Sequence, residues 1–499
     1  MVKYMDRLNR KLNSKDTQEL LKKHTIASGS IYRTKYHVQT VCGLMNDPNG
    51  FCYYQNAWHL FYQWYPYEAA HGLKHWYHVE SPDLVHWKND GLFLKPDTWY
   101  ENNGCFSGSA IVEGEDMFVA YTGHNKDEKG NIREYQLLAK YHDSGKAMKL
   151  NCPIIEPHPD YITKNQRDPK VFKEGDTYYI LLGAQDAQKH GKFLLYSSKD
   201  LTDGWKFQGE LKVQGYPYFG YMVECPCITK IGDMYVLLFS PQGLEAKGEH
   251  YNNKLNNVYL LGNLDLENLT FTPHSDIQEL DRGFDFYAAQ CAFQTTEKDK
   301  AYLAGWFGVS DYQYPQTEKE YWVGLQTLPR VLTISNDTLL QSPPQAMESL
   351  KNEILFEAKN GNVVKNALHA EMPRCCKIEV DNPKDNALCF NLFTWGRNRG
   401  FEIRYDAIAK KLSINKSDMH SICNPEFGTV RTVTLSEGCT HLDIYVDQST
   451  VEIFVNNGET VLSSRIFPDK TENQIRMEGS DIDVHVYSLL PSVKDDFVL

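Results

Sequence analysis

Five times in the first two thirds of the chain, a polar or acidic turn leads into an apolar run rich in aromatic residues. The runs begin at Asn56, Asp116, Asp176, Asp233 and Lys300, as in Asp176-Thr177-Tyr178-Tyr179-Ile180-Leu181-Leu182. Anchored at residues 57, 117, 177, 234 and 301, they are spaced by 60, 60, 57 and 67 residues. Runs of this length bounded by turn residues predict strands. A second pattern falls between them. Ser81-Pro82-Asp83-Leu84-Val85-His86-Trp87 returns as Ser198-Lys199-Asp200-Leu201-Thr202-Asp203-Gly204-Trp205, and more weakly as Asn263-Leu264-Asp265-Leu266-Glu267-Asn268-Leu269. Each copy follows a short apolar strand, where a turn is expected. A repeat of this size fits one four-stranded sheet, and five such sheets stacked around a channel make a five-bladed β-propeller. An accidental likeness within a β-sandwich would not keep five copies at a near-constant period.

The period stops after Arg330, and Ser342-Pro343-Pro344-Gln345 marks a break. Residues 346–355 read as a short linking helix. Beyond them apolar and polar residues alternate, in Leu442-Asp443-Ile444-Tyr445-Val446 and Val451-Glu452-Ile453-Phe454-Val455, and Asn456-Asn457-Gly458 signals a hairpin. Short strands with regular turns predict a separate β-sandwich. Near the start, Ser14-Lys15-Asp16 followed by Thr17-Gln18-Glu19-Leu20-Leu21 opens a short helix. The expected fold is all-β: a helical extension over residues 1–33, a propeller over 34–340, a linker over 341–356 and a sandwich over 357–499.

Composition narrows the function classes. With 41% hydrophobic and 23% charged residues among 499, the chain is an ordinary globular protein and not a disordered one. No apolar run reaches the 18 or so residues of a membrane helix. A net charge of −13 without a dense Lys/Arg cluster disfavours nucleic-acid and anionic-membrane partners. Thirty-one Tyr and nine Trp suit sugar faces, although aromatic-rich β proteins share that count. The twelve cysteines form no C-x-x-C pair, and residues 1–24 lack the apolar core of a secretory signal, so a cytoplasmic protein with reduced thiols is expected.

In a propeller the first strand of each blade lines the channel and starts about ten residues before each anchor. Ten before Ala57 is Asp47, ten before Met234 is Glu224, nine before Thr177 is Asp168, and ten before Met117 is Ser107. Acids thus recur at nearly one phase of the repeat, with a one-residue offset at Asp168 that a bulge would absorb. Each has a local alternative: a turn at Asp47-Pro48-Asn49-Gly50, an ion pair at Arg167-Asp168-Pro169, a solvated strand end at Glu224-Cys225-Pro226. Together they predict converging carboxylates for acid/base or nucleophilic work. No H-E-x-x-H or D-x-D-x-D-G pattern is present, so neither a metal nor a cofactor is expected.

Met45-Asn46-Asp47-Pro48-Asn49-Gly50 resembles the signature of the β-fructofuranosidases of glycoside hydrolase family 32. Phe106-Ser107-Gly108-Ser109-Ala110, Arg167-Asp168-Pro169, Glu224-Cys225-Pro226 and Asp285-Phe286-Tyr287-Ala288-Ala289-Gln290 are similar to its other motifs, in the same order. The resemblance implies hydrolysis of β-fructofuranosyl linkages in sucrose, sucrose 6-phosphate or short fructo-oligosaccharides through a covalent intermediate. It implies Asp47 as nucleophile, Glu224 as acid/base, and Asp168 with Arg167 as the stabilising pair. Asn46, Gln63, Phe106 and Ser107 are then expected to line the fructose pocket, with Cys225 and Tyr287 among the substrate-binding residues. Asn46 and turn amides are expected to keep Asp47 ionised. The family usually carries Trp about eight residues after the glutamine that Gln63 matches. Here His71 stands there, either meeting substrate itself or leaving Trp64 or Trp76 to fill the space. Fructosyl transfer and non-catalytic sugar binding are the alternative functions. A small carbohydrate is the expected partner, with oligomerisation through the sandwich left open.

Overall fold

A computed structural model of the chain describes residues 7–142, 145–157, 160–363 and 372–499. Five sheets, antiparallel except at two short edge strands, follow one another along residues 43–342. The first is β1 (Gly43–Tyr54), β2 (Ala57–Tyr65), β3 (His75–Ser81) and β4 (Lys88–Leu94). The second is β5 (Cys105–Glu113), β6 (Asp116–Lys126), β7 (Ile132–His142) and β8 (Lys146–Lys149). The third is β9 (Ile162–Glu174), β10 (Thr177–Asp186), β11 (Gly191–Ser198) and β12 (Lys206–Glu210). In the fourth, the short β13 (Lys212–Val213) edges β14 (Met222–Ile231), β15 (Met234–Gln242), β16 (Val258–Asp265) and β17 (Thr270–Pro273), and β18 (Gln278–Glu279) pairs with β16. The fifth opens with β19 (Tyr287–Cys291) and β20 (Ala301–Trp306). The chain then leaves as β21 (Trp322–Val323) to pair in parallel with β1, closing the ring, and returns as β22 (Arg330–Ser335) and β23 (Thr338–Ser342).

The aromatic-rich runs are the second strands of the blades, and both of their faces are covered. In β10, Ile180 and Leu182 pack toward the second blade with Ile111 and Leu138, while Leu181 packs toward the fourth with Ile228 and Phe239. A strand buried on both faces reads as a continuous apolar run, not an alternating one. The second repeated pattern is the turn between third and fourth strands. Asp83 Oδ1 accepts from the backbone N–H of Val85 and His86, Asp265 Oδ1 likewise from Glu267 and Asn268, and Asp200 Oδ1 from Thr202. The first hairpin turns at Gln55 and Asn56, both at positive φ, as a two-residue type I′ loop requires.

Before the propeller, α1 (Thr17–Ser28) buries Leu20, His24 and Ala27 on one stripe, preceded by a capped turn at Ser14–Asp16. After it come β24 (Lys351–Val363), β25 (Cys375–Asp381), β26 (Leu388–Thr394), β27 (Gly400–Asp406), β28 (Lys411–Asp418), β29 (Val430–Thr434), β30 (His441–Asp447), β31 (Thr450–Val455), β32 (Thr460–Arg465) and β33 (Gln474–Leu489). The first part of β33 pairs with β26 and the second part with β24 and β25, so this strand joins both layers of a β-sandwich around one core. The segment read as a linking helix differs. Residues Gln345–Leu350 form 3-10 turns, and β24 begins at Lys351, inside the expected linker. Pairing of Lys351 with Leu489 and onward along β33 overrides the local helical pattern.

Candidate active site

Every inner strand carries one extra residue against its neighbour at the same level. Met45 to Pro48 spans Trp64 to Tyr62, and Cys105 to Gly108 spans Gly123 to Tyr121. Arg167 to Lys170, Glu224 to Cys227 and Tyr287 to Gln290 repeat this in the remaining blades. Bulges of this kind re-aim side chains. They also correct the expected phase. Glu224 and Tyr287 stand just before the bulge, Asp168 is its first residue, and Asp47 and Ser107 are its second. The three acids therefore occupy three successive register positions, not one. Asp168 and Cys225 take φ of 63° and 46°, each followed by a proline that needs no ladder donor.

Asp47 is fixed by its own blade and the next. Ser107 Oγ donates to one carboxylate oxygen at 2.6 Å and Asn46 Nδ2 to the other at 3.0 Å. Gln63 braces both donors: its Oε1 accepts from Asn46 Nδ2 at 2.5 Å and its Nε2 donates to Ser107 Oγ at 2.9 Å. Gly108, next to Ser107, admits no side chain, because a Cβ would lie 2.0 Å from the Ala120 carbonyl. Asp168 Oδ2 accepts the Cys225 N–H at 2.9 Å. Glu224 is held by three donors: Arg167 Nη2 at 2.7 Å, Gln242 Nε2 at 2.6 Å and the Tyr287 hydroxyl at 2.7 Å.

A cavity of about 320 Å³ opens over these groups. Asp47, Asp168 and Glu224 all line it. So do Asn46, Gln63, Phe106 and Ser107, and Arg167, Tyr287 and His71 complete the expected set. Cys225 is the exception. It is 2% exposed and lies behind the wall, where its backbone N–H and thiol face Asp168. From the bulge its N–H supports the Asp168 carboxylate, and it takes no part in the cavity wall. The space beside His71 is filled by neither Trp64 nor Trp76, whose indoles are buried and bonded to the Cys42 and Phe106 carbonyls. Trp306, the last residue of β20, meets the His71 ring edge-on at 6.2 Å. On the opposite side Phe106 stacks on His124 at 4.2 Å.

Lys74, His124, Glu134, Lys164, Asn165 and Trp306 also line the cavity and went unread in the sequence. Trp306 ends the fifth aromatic run, and Lys74 stands immediately before the buried run His75-Trp76-Tyr77, so both left a signal. The others come from blade positions that nothing in the repeat marks. Among the described residues no group of three His, Cys, Asp or Glu is placed to hold a metal ion.

The Glycosyl hydrolases family 32 N-terminal domain matches residues 37–343, and the family's C-terminal domain matches residues 347–489. The chain belongs to glycosyl hydrolase family 32. It is 35% identical to a sucrose-6-phosphate hydrolase of Staphylococcus xylosus over 92% of each chain. Its structure is similar to that of a sucrose-6-phosphate hydrolase from Lactobacillus gasseri, with a TM-score of 0.90, 33% identity, and coverage of 97% of this chain and 99% of the other. A Bombyx mori family 32 β-fructofuranosidase matches at a TM-score of 0.82 and 33% identity, over 97% of this chain and all of the other.

In this family 32 glycoside hydrolase, burial sets the protonation of the site. It pushes the Asp47 carboxyl up, with Ser107, Asn46 and the Lys74 ammonium opposing and Glu224 adding to the rise. The expected depression of Asp47 by hydrogen bonds alone is thus outweighed by desolvation. Burial raises Asp168 to about 7, against the pull of Arg167. Burial and the neighbouring Glu224 keep the Tyr287 hydroxyl protonated, so it remains a donor.

Proposed function

We propose that the protein cleaves β-fructofuranosyl linkages of sucrose and sucrose 6-phosphate with retention. Asp47 attacks the anomeric carbon, the bond to the leaving oxygen breaks, and Glu224 delivers its proton to that oxygen. Glu224 then takes a proton from water, which attacks the same carbon and frees Asp47. Asp168 and Arg167 hold fructosyl hydroxyls and balance the charge that develops on the ring. The carrying observation is that carboxylates from three blades, braced by separate sets of donors, line one cavity of sugar size.

Two observations support the phosphorylated substrate. Two of the three relatives above are named for it. In the cavity wall, Arg167 is engaged by Glu224 and Glu134 and Lys74 by Asn46, whereas Lys164 is exposed and has no hydrogen bond or ion pair among the described residues. A phosphate dianion needs such a free cation. A cytoplasmic, reducing setting fits this reading, since none of the twelve cysteines is in a disulfide. Among the described residues no helix is long and apolar enough to cross a membrane.

A substrate panel of sucrose, sucrose 6-phosphate and short fructo-oligosaccharides, compared by kcat/KM, tests the assignment. Failure to release fructose from any of them refutes it. Lys164→Ala is expected to lower kcat/KM for sucrose 6-phosphate about tenfold and leave sucrose unchanged. Asp47→Asn is expected to lower kcat by roughly 10³-fold or more with the fold intact. NMR of the first-formed fructose should show the β anomer; the α anomer would mean inversion.

A further inference from the structure

Lys74 is the least expected group in the cavity. It lies on the segment entering β3, is 5% exposed, and still forms part of the cavity wall. Its backbone is pinned, because the Cys105 N–H at the start of β5 donates to the Lys74 carbonyl at 2.9 Å. An ammonium has three donors. Among the described residues Lys74 Nζ makes one hydrogen bond, to Asn46 Oδ1 at 2.6 Å. A buried cation with a single neutral acceptor is costly unless other acceptors arrive. The hydroxyls of a ligand in the cavity are those acceptors.

The bond to Asn46 has a second consequence. An amide presents oxygen on one side and nitrogen on the other. With Oδ1 committed to Lys74, Nδ2 is directed to Asp47 and to Gln63 Oε1. Without Lys74 the amide keeps only the Gln63 bond against turning its oxygen toward the Asp47 carboxylate. The surrounding charges give Lys74 added weight. The groups facing Asp47 are Glu224 and Cys225 from β14, Asp168 from β9, Tyr287 from β19 and Ser107 from β5. Arg167 is taken up by Glu224 and Glu134. Burial lowers Lys74 to about 7 against the pull of Asp47, so on the acid side of neutrality it is the nearby ammonium whose field favours ionised Asp47. His71 adds no second charge, because the neighbouring Lys74 ammonium disfavours a protonated ring.

We infer that Lys74 is a positioning residue for Asp47, acting through the Asn46 amide, and that its remaining N–H groups bind a hydroxyl of the fructosyl unit. The inference rests on Asp47 being the nucleophile.

The test uses the full-length enzyme with Lys74→Met, Lys74→Gln and Lys74→Arg, each checked for folding by thermal melting. Removing the positive charge disfavours the ionised form of Asp47, so the acid limb of the kcat/KM–pH profile should move to higher pH in the Met and Gln variants. kcat/KM on sucrose should fall about 100-fold in the Met variant, as a misplaced reacting group produces. Competitive inhibition by free fructose should weaken with it. The Gln variant, which can still donate to Asn46, should lose less, and the Arg variant should keep the acid limb in place. If the Met variant does not fold, the Gln variant carries the same comparison. A folded Met or Gln variant with the acid limb and fructose inhibition unchanged would overturn the inference. Near-normal turnover by Asp47→Asn would instead sink the nucleophile assignment on which it rests.

Discussion

Asp168 is placed where burial opposes its charge. It is 4% exposed, faces Glu224 and Asp47, and receives the Cys225 N–H and thiol and the field of Arg167 in compensation. Its folded pKa of about 7 stands above the ordinary carboxylate value. A raised carboxyl favours the fold below the unfolded value, and that advantage is lost as pH rises through the folded one. At pH 8 the ionised group is therefore a burden on the fold. Asp168→Asn is expected to raise Tm at pH 8 by roughly 2–4 °C while lowering kcat at least about 100-fold. Calorimetry at pH 5 and pH 8 checks the sign, since the stabilisation should shrink at the lower pH. Asp47, Asp168 and Glu224 were legible because each stands alone at a marked phase of a repeat. Cys225, read as substrate-binding, lies outside the cavity lining, because a motif does not say which atom of a residue faces the site; here its backbone N–H and thiol face Asp168. Glu134 and Lys164 were invisible because each is a single polar residue on a strand whose neighbours carry no pattern.

At the scale of the strand, the site depends on a miscount built into every inner strand. The extra residue in each bulge turns three acids at successive register positions toward one cavity. The repeat period locates the strands, yet a bulge is a property of pairing, and the offset of Asp168 was its one trace in the sequence. Residues 346–355 failed for a related reason. Their local pattern suits a helix, and only the partner strand β33 makes β24 extended. Gly108 tests the strand geometry directly. Its neighbour Ser107 must reach Asp47 across the blade boundary, and the approach of β5 to β6 leaves no room for a Cβ beside the Ala120 carbonyl. Gly108→Ala should destabilise the protein by about 2–3 kcal/mol and reduce kcat by shifting Ser107 away from the carboxylate. Unchanged melting and turnover would show that β5 can slide without disturbing the site.

Across the whole molecule, propeller and sandwich are joined by buried charge. His37, from the segment entering the first blade, lies between Asp447 at 2.9 Å and Glu452 at 3.0 Å, and both carboxylates belong to the sandwich. The backbone N–H groups of Lys35 and Tyr36 also donate to Asp447, and Leu328 N–H donates to Glu452. Arg330 of β22 bonds Asp281 and Glu452, and Ser463 of β32 donates to Asp281. Asp285, which the sequence grouped with a sugar-site motif, instead accepts from the Tyr314 hydroxyl and the Arg465 N–H at the same boundary. The strand pattern of either domain gave no hint of this seam, because its members are scattered over more than four hundred residues. His37 makes the seam sensitive to pH. The two carboxylates outweigh burial and raise it to about 9, above the ordinary value near 6.5. The stability it adds is complete below the unfolded value and is lost as pH climbs through the folded one. Tm should therefore fall between about pH 7 and pH 9.5, with a contribution of up to about 3 kcal/mol at stake. His37→Gln should melt lower at pH 7 and flatten that decline, because no imidazolium remains to discharge. A decline of the same steepness in the variant would assign the alkaline loss to other groups.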